Sequence, residues 1–152
     1  MARNEKMVRI REVQLESDPT SGRVVILKEG GGARRHLTMV VGDSEFAAIA
    51  KEKGLLASRR PLTHKLYLDI IEKLEAKFLR IEVFDLKDNT YYAKVIFSSK
   101  DKEHAVDSRP SDAIALALNR KIPIMVNERL LRPIVVHKHV RAYKEFVWRV
   151  EF

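Results

Sequence analysis

The chain has no cysteine among its 152 residues, which excludes disulfides, thiolate metal sites and cysteine nucleophiles together. It also lacks any apolar run near the roughly 20 residues that a membrane-crossing helix needs, so no membrane partner is expected. The opening MARNEKMVRIREV has no apolar stretch of the secretory type, which makes a cytoplasmic location the expectation. Low-complexity linkers and internal repeats are absent too, so nothing argues for a solenoid or a string of modules. What remains is a globular composition, 45% hydrophobic and 33% charged, in a chain long enough to bury a core as one domain.

Acidic residues are the scarcer charge, 21 against 29 Lys and Arg, giving a net charge of +8. The excess lies in the flanks: +4 over residues 1–60, +1 over 61–127 and +3 over 128–152. A basic balance favours polyanions, nucleic acid above all, because neutralised phosphates release counterions.

β-branched content and partial alternation predict strands at Met7–Glu16, Val24–Lys28 and Arg34–Val41. Asp18-Pro19-Thr20-Ser21-Gly22 and Gly30-Gly31-Gly32 are the turns between them. The triple glycine is read as a hairpin turn, since no Lys-Ser/Thr follows and no helix opens there. A helix is expected from Asp43 to about Lys53, closed by Gly54. A second is expected over 62–77, where Leu62, Leu66, Ile70, Leu74 and Phe78 recur every fourth residue with Tyr67 and Ile71 widening the stripe. Strands at Leu79–Leu86 and Thr90–Ser98 flank the tight turn Lys87-Asp88-Asn89. A short strand near Glu103–Val106, a helix at Pro110–Asn119 and a strand at Ile124–Val126 follow. The fold class is therefore α/β of the α+β type: a mixed, mainly antiparallel sheet packed with three main helices. The domain should span residues 1–133. The apolar tail 134–152, with Tyr143, Phe146, Trp148 and Phe152, is expected to dock on the domain or on a neighbouring subunit.

The stretch DSRPSDAIALA, Asp107 to Ala117, concentrates charge at a helix start. Pro110 suits the first helical position, and Asp112 then falls in the first turn, where exposed N–H groups attract a carboxylate. Arg109 has no such explanation. The proline forces it into an extended conformation, and its fork fits a carboxylate or a phosphate oxygen. The second helix opens alike, with Arg60-Pro61-Leu62-Thr63-His64. Two such helix starts could share one anion-binding corner, with His64 as a group that moves protons near neutral pH.

Three segments, RRPLTHKLYLDIIEKLEAKF, FDLKDNTYYAKVIF and DSRPSDAIALALNRKIPIMV, resemble the bifunctional nuclease domain family in order and spacing. The likeness is strongest over residues 55–127 and looser over 8–54, where Val41-Gly42-Asp43-Ser44-Glu45 matches a strand-Gly-x-x-Glu step. The resemblance implies a compact α/β domain in homo-oligomers, and cleavage of RNA and DNA, an activity attributed to only some relatives. By motif position, His64, Asp88, Asp107, Arg109 and Asp112 are the catalytic candidates. Arg60, Thr63 and Ser111, with Arg34 and Arg35 beside the glycine turn, are the substrate-binding ones. Asp107, Asp112 and Glu45 would be the ligands of Mg2+ or another divalent cation. Lys65 departs from the family, since many relatives carry an acid right after the motif histidine; Thr38 stands where relatives often have proline.

Tyr91 and Tyr92 point to opposite faces of one strand, one to pack and one to stand partly exposed, where it could stack a base. His137 and His139 share a strand face but lack a third local ligand for a metal. Two functions stay open. In one, the acids hold a cation, Arg109 clamps a phosphate and His64 transfers a proton. In the other, the same charges form an ion-pair network in a non-catalytic oligomeric assembly module.

Overall fold

Apolar residues at every second position of the first three strands, such as Val13 and Leu15, Val25 and Leu27, Leu37 and Met39, build one face of a sheet that helices then cover. A computed structural model describes residues 5–20, 22–30 and 34–133. Its eight strands are β1 (Met7–Asp18), β2 (Gly22–Glu29), β3 (Arg35–Val41), β4 (Lys77–Lys87), β5 (Thr90–Ser99), β6 (Lys102–Ser108), β7 (Ile124–Asn127) and β8 (Arg132–Pro133). The helices are α1 (Asp43–Glu52), α2 (Thr63–Lys73) and α3 (Pro110–Arg120). The expected mixed, mainly antiparallel sheet with three helices is present: the strand order is β6-β5-β4-β7-β1-β2-β3-β8, and among the described residues only β4 and β7 pair in parallel.

Two devices join the halves of this sheet. β1 changes partners along its length: Met7–Arg9 pair with β7, and the residues from Ile10 onward pair with β2, with a register shift between Ile10 and Glu12. α3 is the crossover that returns the chain from β6 to β7, beside β4. It is the most deeply set helix, with Ser111 and all of Ala113–Leu118 buried against α1, α2, β4 and β5. Its three alanines, Ala113, Ala115 and Ala117, let neighbouring elements approach closely. Charged side chains pair on the opposite face of the sheet. Glu82 lies 2.7 Å from Arg80 and 3.0 Å from Lys94, directly across on β5, and Arg80 reaches Glu103 at 2.9 Å.

Two expectations need correction. The second helix stops at Lys73 rather than residue 77, because Glu75 takes φ 62° and turns the chain into β4; Phe78 stands in that strand with its ring 6.4 Å from Phe97. The every-fourth stripe does not face the core either. Leu66, Ile70 and Leu74 are exposed, up to 72%, while Leu68 is fully buried and Tyr67 packs against the core. Spacing of exactly four residues drifts around a helix of 3.6 residues per turn, and the face that packs is the one carrying His64, Tyr67, Leu68 and Ile71. Gly31, Gly32 and the tail, with His137 and His139, lie outside the described residues. No described helix is long and apolar enough to cross a membrane.

Lys53 closes α1 and donates from Nζ to the Val13 carbonyl. Burial pushes its pKa down to about 8, partly opposed by the charge of Glu12. Between pH 8 and 10.5 the folded chain has released this proton while the unfolded chain holds it, so stability should rise with pH over that window. Lys53→Met should abolish that rise. It should also stabilise the protein at neutral pH by about 1–2 kcal/mol, the full shift being reduced because the side chain is half exposed. Denaturant midpoints of both proteins from pH 7 to 10.5 measure the difference.

Candidate functional site

Three helices begin at one place, and each begins the same way. The residues before their first turns, Gly42, Leu62 and Arg109, are all extended (ψ 167°, 164° and 141°), and none supplies a side-chain cap. Pro110 follows Arg109 as first helical residue, which accounts for the extended conformation of Arg109. Uncapped first turns leave backbone N–H groups without intrahelical partners and a partial positive charge at each helix start.

The three starts line a single cavity of about 800 Å³: Ser44 and Glu45 from α1, Thr63 and His64 from α2, and Arg109 and Asp112 around the start of α3, with Asp107 and Ser108 from β6. The RPLTH and DSRPSD motifs, far apart in the chain, therefore share one wall. Ala48 and Tyr67 complete it; burial, and secondarily the charge of Asp112, push the Tyr67 phenol up, so it stays protonated. A second cavity of about 560 Å³ lies on the other side of Arg109 and Glu45, lined by Thr38, Asn89, Thr90, Tyr91 and Ser111 among others.

Arg109 sits between the two cavities, gripped by two carboxylates. Its Nε and Nη2 donate to the two oxygens of Asp112 at 2.6 and 2.9 Å, a bidentate pair, and Nη1 donates to Glu45 Oε1 at 2.9 Å. These bonds, Asp112 first, hold its pKa even further above the physiological range. The side chain is nonetheless 65% exposed. A Cβ at Gly42 would collide with the Glu45 carboxylate, so glycine there leaves Glu45 room to reach Arg109. The expected cation ligands thus surround a guanidinium: Glu45 and Asp112 are both bonded to Arg109, and no group of three His, Asp or Glu among the described residues could hold a metal. The donor set as arranged does not fit a divalent ion.

His64 is nearly buried, 12% exposed, and its Nε2 lies 2.6 Å from Oε1 of Glu52, which is 9% exposed. The other Glu52 oxygen accepts from Asn119 Nδ2 at 2.6 Å. Sequence reading missed Glu52 and Asn119. Glu52 stands between Lys51 and Lys53 and reads as part of a solvated charge run; only its position at the end of α1, facing α2, gives it a partner.

The other candidates fall out as follows. Thr63 and Asp107 line the larger cavity and Ser111, buried, lines the smaller. Asp88 does not join them: it is exposed at the tip of the β4–β5 hairpin, with φ 48° there and 58° at Asn89, as a tight primed turn requires. Arg60 is exposed, and it is its carbonyl that Lys51 and Ser58 bond. Arg34 and Arg35 sit at the far end of β3, roughly 20 Å from Val41 by strand rise. Arg35 is committed there to Glu29 and Glu128 at 2.7 and 3.0 Å. Lys65 pairs with Asp69 at 2.9 Å, so the departure from the family takes nothing from His64, whose carboxylate partner is Glu52. Tyr91 packs on the core, and Tyr92 is partly exposed under Lys87.

An uncharacterized protein of Mycobacterium tuberculosis (strain ATCC 25618 / H37Rv) is 39% identical over 124 residues, covering 82% of this chain and 73% of that one. Bifunctional nuclease 2 of Arabidopsis thaliana is 28% identical over 109 residues, 70% of this chain and 33% of the relative. Bifunctional nuclease 1 of Oryza sativa subsp. japonica is 22% identical over 130 residues, 84% of this chain and 38% of the relative. The model of the bifunctional nuclease domain matches residues 25–139, which include both shared-wall motifs, and the chain belongs to that family.

Proposed function

We propose that this domain hydrolyses phosphodiester bonds of RNA, DNA or both, at the cavity where the three helices start. The observation that carries the reading is the convergence on that cavity of a carboxylate-bound histidine and an exposed, carboxylate-gripped arginine. Arg109 uses three of its five N–H groups on Asp112 and Glu45, leaving two to hold non-bridging phosphate oxygens. Its orientation is set in advance, so it can meet charge that develops at phosphorus without reorganising. His64, bonded through Nε2, has Nδ1 left to take a proton from the attacking water. The three carboxylates Glu45, Asp107 and Asp112 outnumber Arg109, but three helix starts of roughly half a charge each nearly cancel the excess. Attraction over distance then comes from the overall +8, and the local grip from directed N–H groups.

The carboxylate excess favours a second reading, a non-catalytic assembly module in which the Glu45–Arg109–Asp112 bridge ties α1 to α3. Labelled single-stranded RNA and DNA incubated with highly purified protein, with and without EDTA, separates the two. Cleavage that persists in EDTA supports hydrolysis by Arg109 and His64 without a metal. Cleavage abolished by EDTA would reassign the carboxylates to a metal, and no cleavage of either polymer leaves the assembly reading.

A further inference from the structure

Behind His64 runs a line of polar side chains whose hydrogen atoms can be placed by elimination. An arginine only donates, so Arg120 Nη1, 2.8 Å from Asn119 Oδ1, fixes which way the Asn119 amide points. Its Nδ2 then donates to Glu52 Oε2 at 2.6 Å. Oε1 of the same carboxylate, also acceptor-only when ionised, lies 2.6 Å from His64 Nε2, which must therefore carry the hydrogen. Arg120 is itself anchored: Nη2 lies 2.9 Å from Asp69 Oδ1, and Nε lies 2.8 Å from Glu72 Oε1 as an ion pair.

We infer that Glu52 is the positioning residue of His64: held by Asn119 and Arg120, it locks the neutral imidazole as the Nε2–H tautomer and leaves Nδ1 unprotonated. A free imidazole exchanges between two tautomers, and only one of them offers a base at Nδ1. The ring here is held by a nearly buried carboxylate whose own direction is set two residues further back. The same logic predicts what an isosteric change does. In Glu52→Gln the amide oxygen stays with the Asn119 donor, so the amide NH2 faces His64. Nε2 must then accept, the hydrogen moves to Nδ1, and Nδ1 is no longer a base. The consequence for cleavage rests on the nuclease reading above; the tautomer does not.

Long-range 1H–15N spectra of the histidine rings at about pH 8.5, where a free imidazole is neutral, test this directly, with His64 assigned from a His64→Asn variant. The wild-type ring should show a protonated Nε2 and an unprotonated Nδ1, and Glu52→Gln should reverse them. In the nuclease assay the same variant should lose about 10²–10⁴-fold in rate, the range seen when a histidine's supporting carboxylate is lost or replaced by its amide in other enzymes. A wild-type ring protonated at Nδ1, or one averaging between tautomers, overturns the inference, as does a Glu52→Gln spectrum with no reversal. Should Glu52→Gln fail to fold, the wild-type spectrum decides alone. Wild-type protein with the locked tautomer but no cleavage sinks the nuclease reading and leaves the assignment of Glu52 standing.

Discussion

Replacing Arg109 by alanine should lower cleavage at least about a hundredfold while costing less than about 1 kcal/mol of stability. The two halves of that expectation come from one observation. The guanidinium makes three hydrogen bonds to Asp112 and Glu45, yet it is 65% exposed. A deeply buried pair would leave an uncompensated charge on truncation, a loss of roughly 3–5 kcal/mol, and from sequence alone a visible stability loss is the expectation. Exposure decides otherwise. Asp112 and Glu45, freed of the arginine, remain in the first turns of α3 and α1, where helix N–H groups favour a carboxylate. An arginine fixed this firmly and contributing this little to folding is better suited to a ligand than to the fold. Chemical denaturation and a cleavage assay on the one variant measure both halves. A large stability loss would return the motif to the structural reading, and unaltered cleavage would remove Arg109 from the site.

The local chemistry of the site was legible in the sequence where it followed from backbone rules. Pro110 announces the start of α3, places Asp112 in its first turn and sends Arg109 outward, and Lys87-Asp88-Asn89 announces a tight hairpin. The shared corner of the helix starts was conceivable from their matching Arg-Pro steps, but only the fold could bring them together. What stayed hidden were contacts between distant segments. Nothing local marks β7 to lie between β4 and β1, or Glu52 to meet His64 and Asn119. The leucine stripe of α2 misled because periodicity reports that a helix has an apolar face without saying what covers it. Leu66, Ile70 and Leu74 carry that face to the surface, while the packed face of α2 includes a histidine. The metal expectation was a matter of residue types alone. Three acids at motif positions suggest a cation, and the structure places a guanidinium between two of them.

The largest loss of stability from a single side chain is expected at Ile114, in the middle of α3. It is fully buried, and it lies on the helix that packs against α1, α2, β4 and β5. Ile114→Ala removes three carbon atoms from a position whose neighbours cannot close in, because they are fixed by a sheet on one side and two helices on the other. Lost transfer energy and the residual cavity together should cost about 3–4 kcal/mol, within the range for buried aliphatic truncations. The variant also isolates the site from the fold. Arg109 and Asp112 precede Ile114 on the same chain segment, and their mutual hydrogen bonds involve no core atom. Well below its lowered melting temperature, Ile114→Ala should therefore keep the cleavage rate of the parent within about twofold, since the core atoms it removes take no part in the hydrogen bonds that orient Arg109. Thermal denaturation followed by circular dichroism gives the first quantity, and the nuclease assay at low temperature gives the second. A variant as stable as the parent would mean that α3 is less tightly enclosed than it stands in this fold. A folded variant with cleavage lost would mean that the helix start is held in place by the core beneath it, and that Arg109 cannot be oriented by Asp112 and Glu45 alone.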